Sequence, residues 1–317
     1  MQKRTLGDSG LMVAPLCFGG NVFGWTIDEA QSFPLLDAFV ERGFNFVDTA
    51  DVYSTWGGPD NNGGESETII GAWFKKSGKR DKVVLASKVG HEMTPEKKGL
   101  SAAHILRSVD ESLKRLQTDY IDLYQSHKDD LSVAPDETLR AYQKLIEQGK
   151  VRAIGASNFT AERLALSLQT AKDAGLPRYC SLQPEYNLYD RAGFEAELMP
   201  LCVKENVGVI SYYSLARGFL SGKYRSEADL GKSVRGARVA EVYFNPRGFR
   251  ILDALDSIAS AHNSNAARIA LAWLMQRPAI TAPIASATTI AQLEDLMAAA
   301  EVKLTAEDVK VLDATNY

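Results

Sequence analysis

The chain has 317 residues, 45% of them hydrophobic, enough to bury the core of one large α/β domain. A formal net charge of -4, with Lys and Arg scattered among acids, leaves no basic footprint for nucleic acid. No apolar run is long enough to span a bilayer, and the start Met1-Gln-Lys-Arg-Thr5 lacks an apolar signal core, so a cytoplasmic location is expected.

In chain order, six apolar runs each end on a polar residue: Phe44–Val47 into Asp48, Val83–Ala86 into Lys88, Ile121–Tyr124 into His127, Val151–Ile154 into Ser157 and Asn158, Cys180–Leu182 into Gln183, and Val207–Ile210 into Tyr212. Between them lie longer segments with apolar residues three or four apart, such as Leu106-Val109-Leu113-Leu116 and Leu139-Tyr142-Leu145-Ile146, which read as helices. Thr160 starts a helix with a hydroxyl cap, and Thr305-Ala-Glu-Asp308 resembles a capping box with Asp at the third helical position. Strand–helix alternation predicts crossover connections and a parallel sheet. A doubly wound sheet fits the same alternation, but no Gly-x-Gly-x-x-Gly follows the first strand, and the polar residues are spread over most strand ends. A single (β/α)8 TIM barrel over residues 1–317, which collects its chemistry at the carboxyl ends of its strands, is the preferred architecture.

Cys17, Cys180 and Cys202 sit in apolar stretches without Cys-x-x-Cys spacing and read as buried reduced thiols. His91, His104, His127 and His262 form no close pair in sequence, so metal-free chemistry is expected.

The run Gly43-Phe-Asn-Phe-Val-Asp-Thr-Ala-Asp-Val-Tyr53 closely resembles the aldo-keto reductase signature. The match continues through Ala86-Ser-Lys88, Asp119-Tyr-Ile-Asp-Leu-Tyr-Gln-Ser-His127 and Ile154-Gly-Ala-Ser-Asn158. The resemblance implies a barrel that binds a nicotinamide cofactor in extended form without a Rossmann fold. By motif position it assigns Asp48, Tyr53, Lys88 and His127 to the catalytic group. The chemistry asks for the same residue types. Hydride delivery to a carbonyl carbon builds negative charge on oxygen, which calls for a proton donor there. Tyr53 is that donor, and the Lys88 ammonium is expected to pull its phenol below the ordinary value of about 10. Asp48 is expected to compensate the buried Lys88, and His127 to orient the carbonyl.

For the cofactor, Ser157, Asn158 and Gln183 carry groups able to hold the nicotinamide carboxamide, and Tyr212 is placed by the resemblance to stack on the ring. The segment Ser214-Leu-Ala-Arg-Gly-Phe-Leu-Ser-Gly-Lys223 resembles the family's pyrophosphate loop, with Ser214, Leu215, Arg217, Gly218 and Lys223 as contacts; Ser214 stands where proline is usual. The stretch from Arg225 to Pro246 is read as a flap over the cofactor. Ser286, Thr288, Gln292 and Asp295 fall on adenosine contact positions. Thr288 and Thr289 stand where a cation usually meets a 2′-phosphate, and Leu296 where asparagine is common. NADPH is the first choice from the family, with NADH or dual use as the alternative.

Phe23, Trp25 and Trp56, the last in a Gly/Asn-rich insertion from Ser54 to Gly64, form an expected wall for an aromatic or apolar aldehyde or ketone. The end at Tyr317, soon after a last helix, is read as leaving the pocket open. Two functions fit: a carbonyl reductase with a small-molecule substrate, and a cofactor-sensing regulatory subunit like the potassium-channel β-subunits.

Overall fold

Strands buried on both faces must be covered by helices on one side and packed side chains on the other, which is the demand a closed parallel barrel meets. The computed structural model of the chain describes residues 1–315, so Asn316 and the terminal Tyr317 lie outside the described residues. Eight parallel strands form the sheet: β1 (Cys17–Gly19), β2 (Phe46–Asp48), β3 (Val84–Val89), β4 (Ile121–Ser126), β5 (Val151–Ser157), β6 (Tyr179–Gln183), β7 (Gly208–Val209) and β8 (Ile284–Ala285). They pair in chain order, and β8 pairs with β1. The remaining seam closes where the Ile284 N–H donates to the Ser211 carbonyl at 2.8 Å and Val209 bridges to Ile280. All six predicted strands are present, β7 shorter than the run that announced it.

The helices are α1 (Glu29–Glu41), α2 (Glu65–Ser77), α3 (Ala102–Leu116), α4 (Pro135–Glu147), α5 (Ala161–Ala174), α6 (Met199–Lys204), α7 (Gly236–Tyr243), α8 (Pro246–Ala261), α9 (Ala266–Met275), α10 (Ile290–Ala298) and α11 (Ala306–Ala314). The Thr160 cap is present, its hydroxyl accepting from the Arg163 N–H at 3.2 Å. At Thr305 the capping box is complete with Asp308, whose carboxylate accepts from the Thr305 N–H at 2.8 Å. In α3 the buried face is centred on Ile105, Val109 and Leu116, with Leu106 and Leu113 flanking it half-buried.

Alternation along each strand sorts its side chains. Phe18, Val47, Leu85, Tyr124 and Ile154 join the large cluster facing the helices, whereas Cys17, Phe46, Ala86, Leu123 and Ala153 form a separate cluster inside the barrel. Two and four residues farther along the same inward rows come Gly19, Asp48, Lys88, Gln125, His127 and Ser157. The register sets Lys88 opposite Gln125 and Ser157 opposite Gln183. A polar layer therefore sits on an apolar floor, at the carboxyl end.

The floor is sealed from below by an N-terminal hairpin pairing Arg4–Thr5 with Met12–Val13, which inserts Leu6 and Val13 into the inner cluster. Its turn works only with glycine. Gly7 has φ +53°, and a Cβ there would lie 2.1 Å from the Cys180 carbonyl oxygen. Gly7→Ala is therefore expected to destabilise the protein by roughly 1–3 kcal/mol. A thermal melt should show a midpoint several degrees lower; an unchanged midpoint would mean that the hairpin does not seal the barrel.

Candidate active site

The centre of the polar layer is Lys88, wholly buried. An ammonium taken out of water needs acceptors for each of its protons. Its Nζ finds three: Asp48 Oδ2 at 2.6 Å, the Thr49 carbonyl at 2.8 Å and Tyr53 Oη at 2.7 Å. Asp48 is equally saturated. Tyr53 Oη donates to its Oδ2 at 3.0 Å, while Gln183 Nε2 and Gln125 Nε2 donate to Oδ1 at 2.9 and 3.3 Å. Asp48, Lys88 and Tyr53 are thus brought together as read from sequence. Gln125 was missed, although its place two residues before His127 puts it on the same inward row.

Burial lowers the pKa of Lys88, and the charge and hydrogen bond of Asp48 oppose that drop. Tyr53 corrects the expectation of a depressed phenol. Burial first, then the charge and hydrogen bond of Asp48, hold it well above its ordinary value. The ammonium is already compensated by the carboxylate it touches, so it does not pull the phenol down.

His127 follows β4, its N–H held by the Val89 carbonyl at 2.8 Å. Its ring lies 6.0 Å from that of Tyr53. Burial first, then the Lys88 charge, push its pKa well below the ordinary value, so the imidazole is neutral. Its Nδ1 is buried without a hydrogen-bond partner among the described residues.

Behind Lys88 lies a carboxyl cluster that the linear reading also missed. Glu67 of α2 accepts from Ser87 Oγ at 2.5 Å and from Arg115 Nε of α3 at 2.7 Å. Asp51, between Thr49 and Tyr53, is buried beside it with Oδ1 unpartnered among the described residues, as is Tyr124 Oη. Burial, then Glu67, raise the Asp51 carboxyl to about 8. Asp51 and Tyr53 share the signature run, but only Tyr53 had chemistry assigned.

The expected cofactor residues divide by what they touch. Asn158 (φ +57°) donates to the His127 carbonyl at 2.9 Å and accepts from Tyr212 Oη at 2.8 Å, and Ser157 Oγ donates to the Gln183 carbonyl at 2.8 Å. These groups form one network beside the catalytic layer. Within it, the Gln183 amide N–H serves Asp48. In the pyrophosphate-like loop, Ala216, Arg217 and Gly218 take successive positive φ values of 47°, 58° and 97°. Within the turn the Ala216 and Gly218 N–H groups donate to the Tyr213 and Leu215 carbonyls at 2.6 and 2.8 Å. Leu215 is half-buried against the core. The Arg217 guanidinium stacks 3.9 Å above the Tyr213 ring. Lys223 Nζ lies 3.3 Å from where a Cβ on Gly218 would be. Ser214 departs from the expectation: it is buried, and its hydroxyl donates to the Ser211 carbonyl at 3.0 Å, tying the turn instead of facing a phosphate.

Among the residues expected at adenosine, Ser286 Oγ donates to Asn21 Oδ1 at 2.6 Å, and Gln292 Oε1 accepts from the Thr288 N–H and hydroxyl, each at 3.0 Å. Asp295 is clasped by Arg268, 2.7 Å away. This brings a guanidinium from α9 to an end of the site where the sequence offered only threonines. The Arg225–Pro246 stretch folds as a turn over Glu227–Lys232 followed by α7, and Arg235 reaches across to lie 5.2 Å from the Trp25 ring centroid. That contact brings the residue before α7 to the Trp25 side of the mouth.

Of the three expected wall aromatics, Trp25 and Trp56 pack edge to face at 5.8 Å, and Trp56 lies 5.8 Å from Tyr53. Phe23 does not join them. It is fully buried against Phe18, because the 3-10 turn at Gly20–Val22 points it into the core.

Comparison with known proteins agrees with this geometry. The Aldo/keto reductase family profile matches residues 15–316. An uncharacterized oxidoreductase, YrpG, of Bacillus subtilis is 35% identical over 99% of this chain and 95% of its own length. A versiconal hemiacetal acetate reductase of Aspergillus parasiticus is 30% identical, covering 99% and 96%. A probable voltage-gated potassium channel subunit beta of Arabidopsis thaliana is 32% identical, covering 95% and 92%.

The raised Asp51 carboxyl has a stability consequence. Its folded value of about 8 exceeds the ordinary 3.8, so the folded state prefers the protonated form. Stability from this group is full below about pH 4 and is lost as pH rises to about 8. Asp51→Asn, which mimics the protonated form, is expected to raise the melting midpoint by several degrees near pH 9 and hardly at all near pH 4. Equal shifts at both pH values would show that Asp51 does not titrate in this way.

Proposed function

The chain belongs to the aldo/keto reductase family, and on that premise we propose that it reduces aldehydes or ketones to alcohols with NADPH as hydride donor. The observation that carries the reading is the buried Asp48–Lys88–Tyr53 cluster beside a neutral His127. When bound, the reduced nicotinamide supplies the hydride. The cationic side chains of Arg217 and Lys223 at the Ala216–Gly218 turn suit the pyrophosphate, and the Asn158–Tyr212 pair suits the nicotinamide end.

This chain's own residues then do three things. His127, neutral, donates a hydrogen bond to the carbonyl oxygen and orients it. Tyr53 gives its proton to that oxygen as charge develops there. A phenol held protonated is no obstacle, because the nascent alkoxide is a far stronger base than phenolate, and the proton is present across the neutral range. Lys88 and Asp48 hold the phenol in position through their hydrogen bonds with Tyr53 Oη. The Trp25–Trp56 wall faces an apolar or aromatic substituent.

The likeness to the Arabidopsis channel subunit keeps a cofactor-sensing role as the second reading, and turnover separates the two. Tyr53→Phe is expected to lower kcat by about 10²–10⁴-fold while cofactor binding, followed by fluorescence, stays within a fewfold of the parent. Turnover within a fewfold of the parent would remove Tyr53 as the acid. For the coenzyme, Thr288→Arg is expected to tighten NADPH about ten-fold and leave NADH nearly unchanged, since only NADPH carries the added phosphate. An equal change for both, in paired dissociation constants at fixed ionic strength, would show that Thr288 is not beside the 2′ position.

A further inference from the structure

The rings at the barrel mouth form an unbroken arc. His91 lies 5.2 Å from His127, His127 6.0 Å from Tyr53, Tyr53 5.8 Å from Trp56, and Trp56 5.8 Å from Trp25. The arc is graded in chemistry, with two imidazoles at one end, the acid in the middle and two indoles at the other. Tyr53 and His127 together address one oxygen, the reacting one. The reduction as derived has no use for the second imidazole.

His91 follows β3 and is exposed. Its Nδ1 lies 3.3 Å from the Glu92 carbonyl oxygen. A carbonyl only accepts, so in the neutral imidazole this contact favours the tautomer with the proton on Nδ1 and Nε2 as acceptor. Oxygens on adjacent carbons lie about 3 Å apart, and hydrogen bonds of about 2.8 Å diverging from them end on groups about 5 Å apart. The two imidazole ring centroids lie 5.2 Å apart, which keeps both rings within that reach.

We infer that His91 is a specificity-determining residue that accepts a hydrogen bond from a hydroxyl on the carbon next to the reacting carbonyl. The substrate class is then α-hydroxy carbonyl compounds bearing an apolar or aromatic group on the opposite side, toward Trp56 and Trp25. This rests on the reductase reading and adds to it which substituent lies on which side.

The test compares phenacyl alcohol with propiophenone, which differ only by a hydroxyl in place of a methyl. The ratio of their kcat/KM values is measured for the parent, His91→Leu and His91→Gln, with benzaldehyde turnover by the parent as the check on the reductase reading. Intrinsic electrophilicity cancels when the ratios are compared between proteins. The ratio is expected to fall about ten-fold in His91→Leu through loss on phenacyl alcohol, and to recover largely in His91→Gln, whose amide oxygen still accepts. A ratio unchanged within two-fold in His91→Leu overturns the inference. So does a parent that reduces benzaldehyde but neither ketone. A parent that reduces no carbonyl with either coenzyme overturns the reductase reading along with it.

Discussion

An ammonium with no access to water stands at the centre of this barrel, and the arrangement around it follows from the need to satisfy it. Removing a charge from water costs several kcal/mol even after relaxation, and only a close counter-charge with full hydrogen bonding offsets that. Lys88 obtains both from Asp48 at 2.6 Å, the Thr49 carbonyl and Tyr53 Oη. Asp48 in turn accepts from two glutamines and the phenol. Strand parity supplies these groups without special loops, because the inward rows that pack Phe46, Ala86 and Leu123 below present Asp48, Lys88 and Gln125 above.

The same pairing explains the charge state of the rest of the mouth. With the ammonium neutralised at short range, Tyr53 keeps its proton, and burial beside Lys88 keeps His127 neutral. The layer therefore holds a proton donor and an uncharged hydrogen-bonding imidazole side by side. Next to it, the Glu67–Arg115 pair and the high Asp51 carboxyl confine negative charge to the helix side of the signature loop.

The strands, the helix caps and the four central residues were legible because each depends on local pattern: alternation, a capping hydroxyl, a motif with fixed spacing. Gln125 was legible in principle, since it shares an inward row with His127. Glu67, Arg115 and Arg268 were not, because each meets its partner across helices far apart in sequence, as Arg115 of α3 does at Glu67 of α2. Phe23 and Ser214 were misread for a related reason. A tight turn decides which way each points, and the composition of the stretch does not show it. The direction of the Tyr53 shift was missed because the sequence shows neither how completely the phenol is buried nor that it also donates to Asp48.

Asp48, by neutralising Lys88, keeps the Tyr53 phenol protonated. The most direct measurement is an NMR titration of ring-labelled tyrosine, with the Tyr53 resonance assigned by its loss in Tyr53→Phe, carried out on the parent and on Asp48→Asn. The account predicts that the Tyr53 phenolate forms at lower pH in Asp48→Asn, because the repelling carboxylate is gone and the ammonium acts on the phenol unopposed. A Tyr53 titration that stays in place or moves to higher pH in that variant would contradict it.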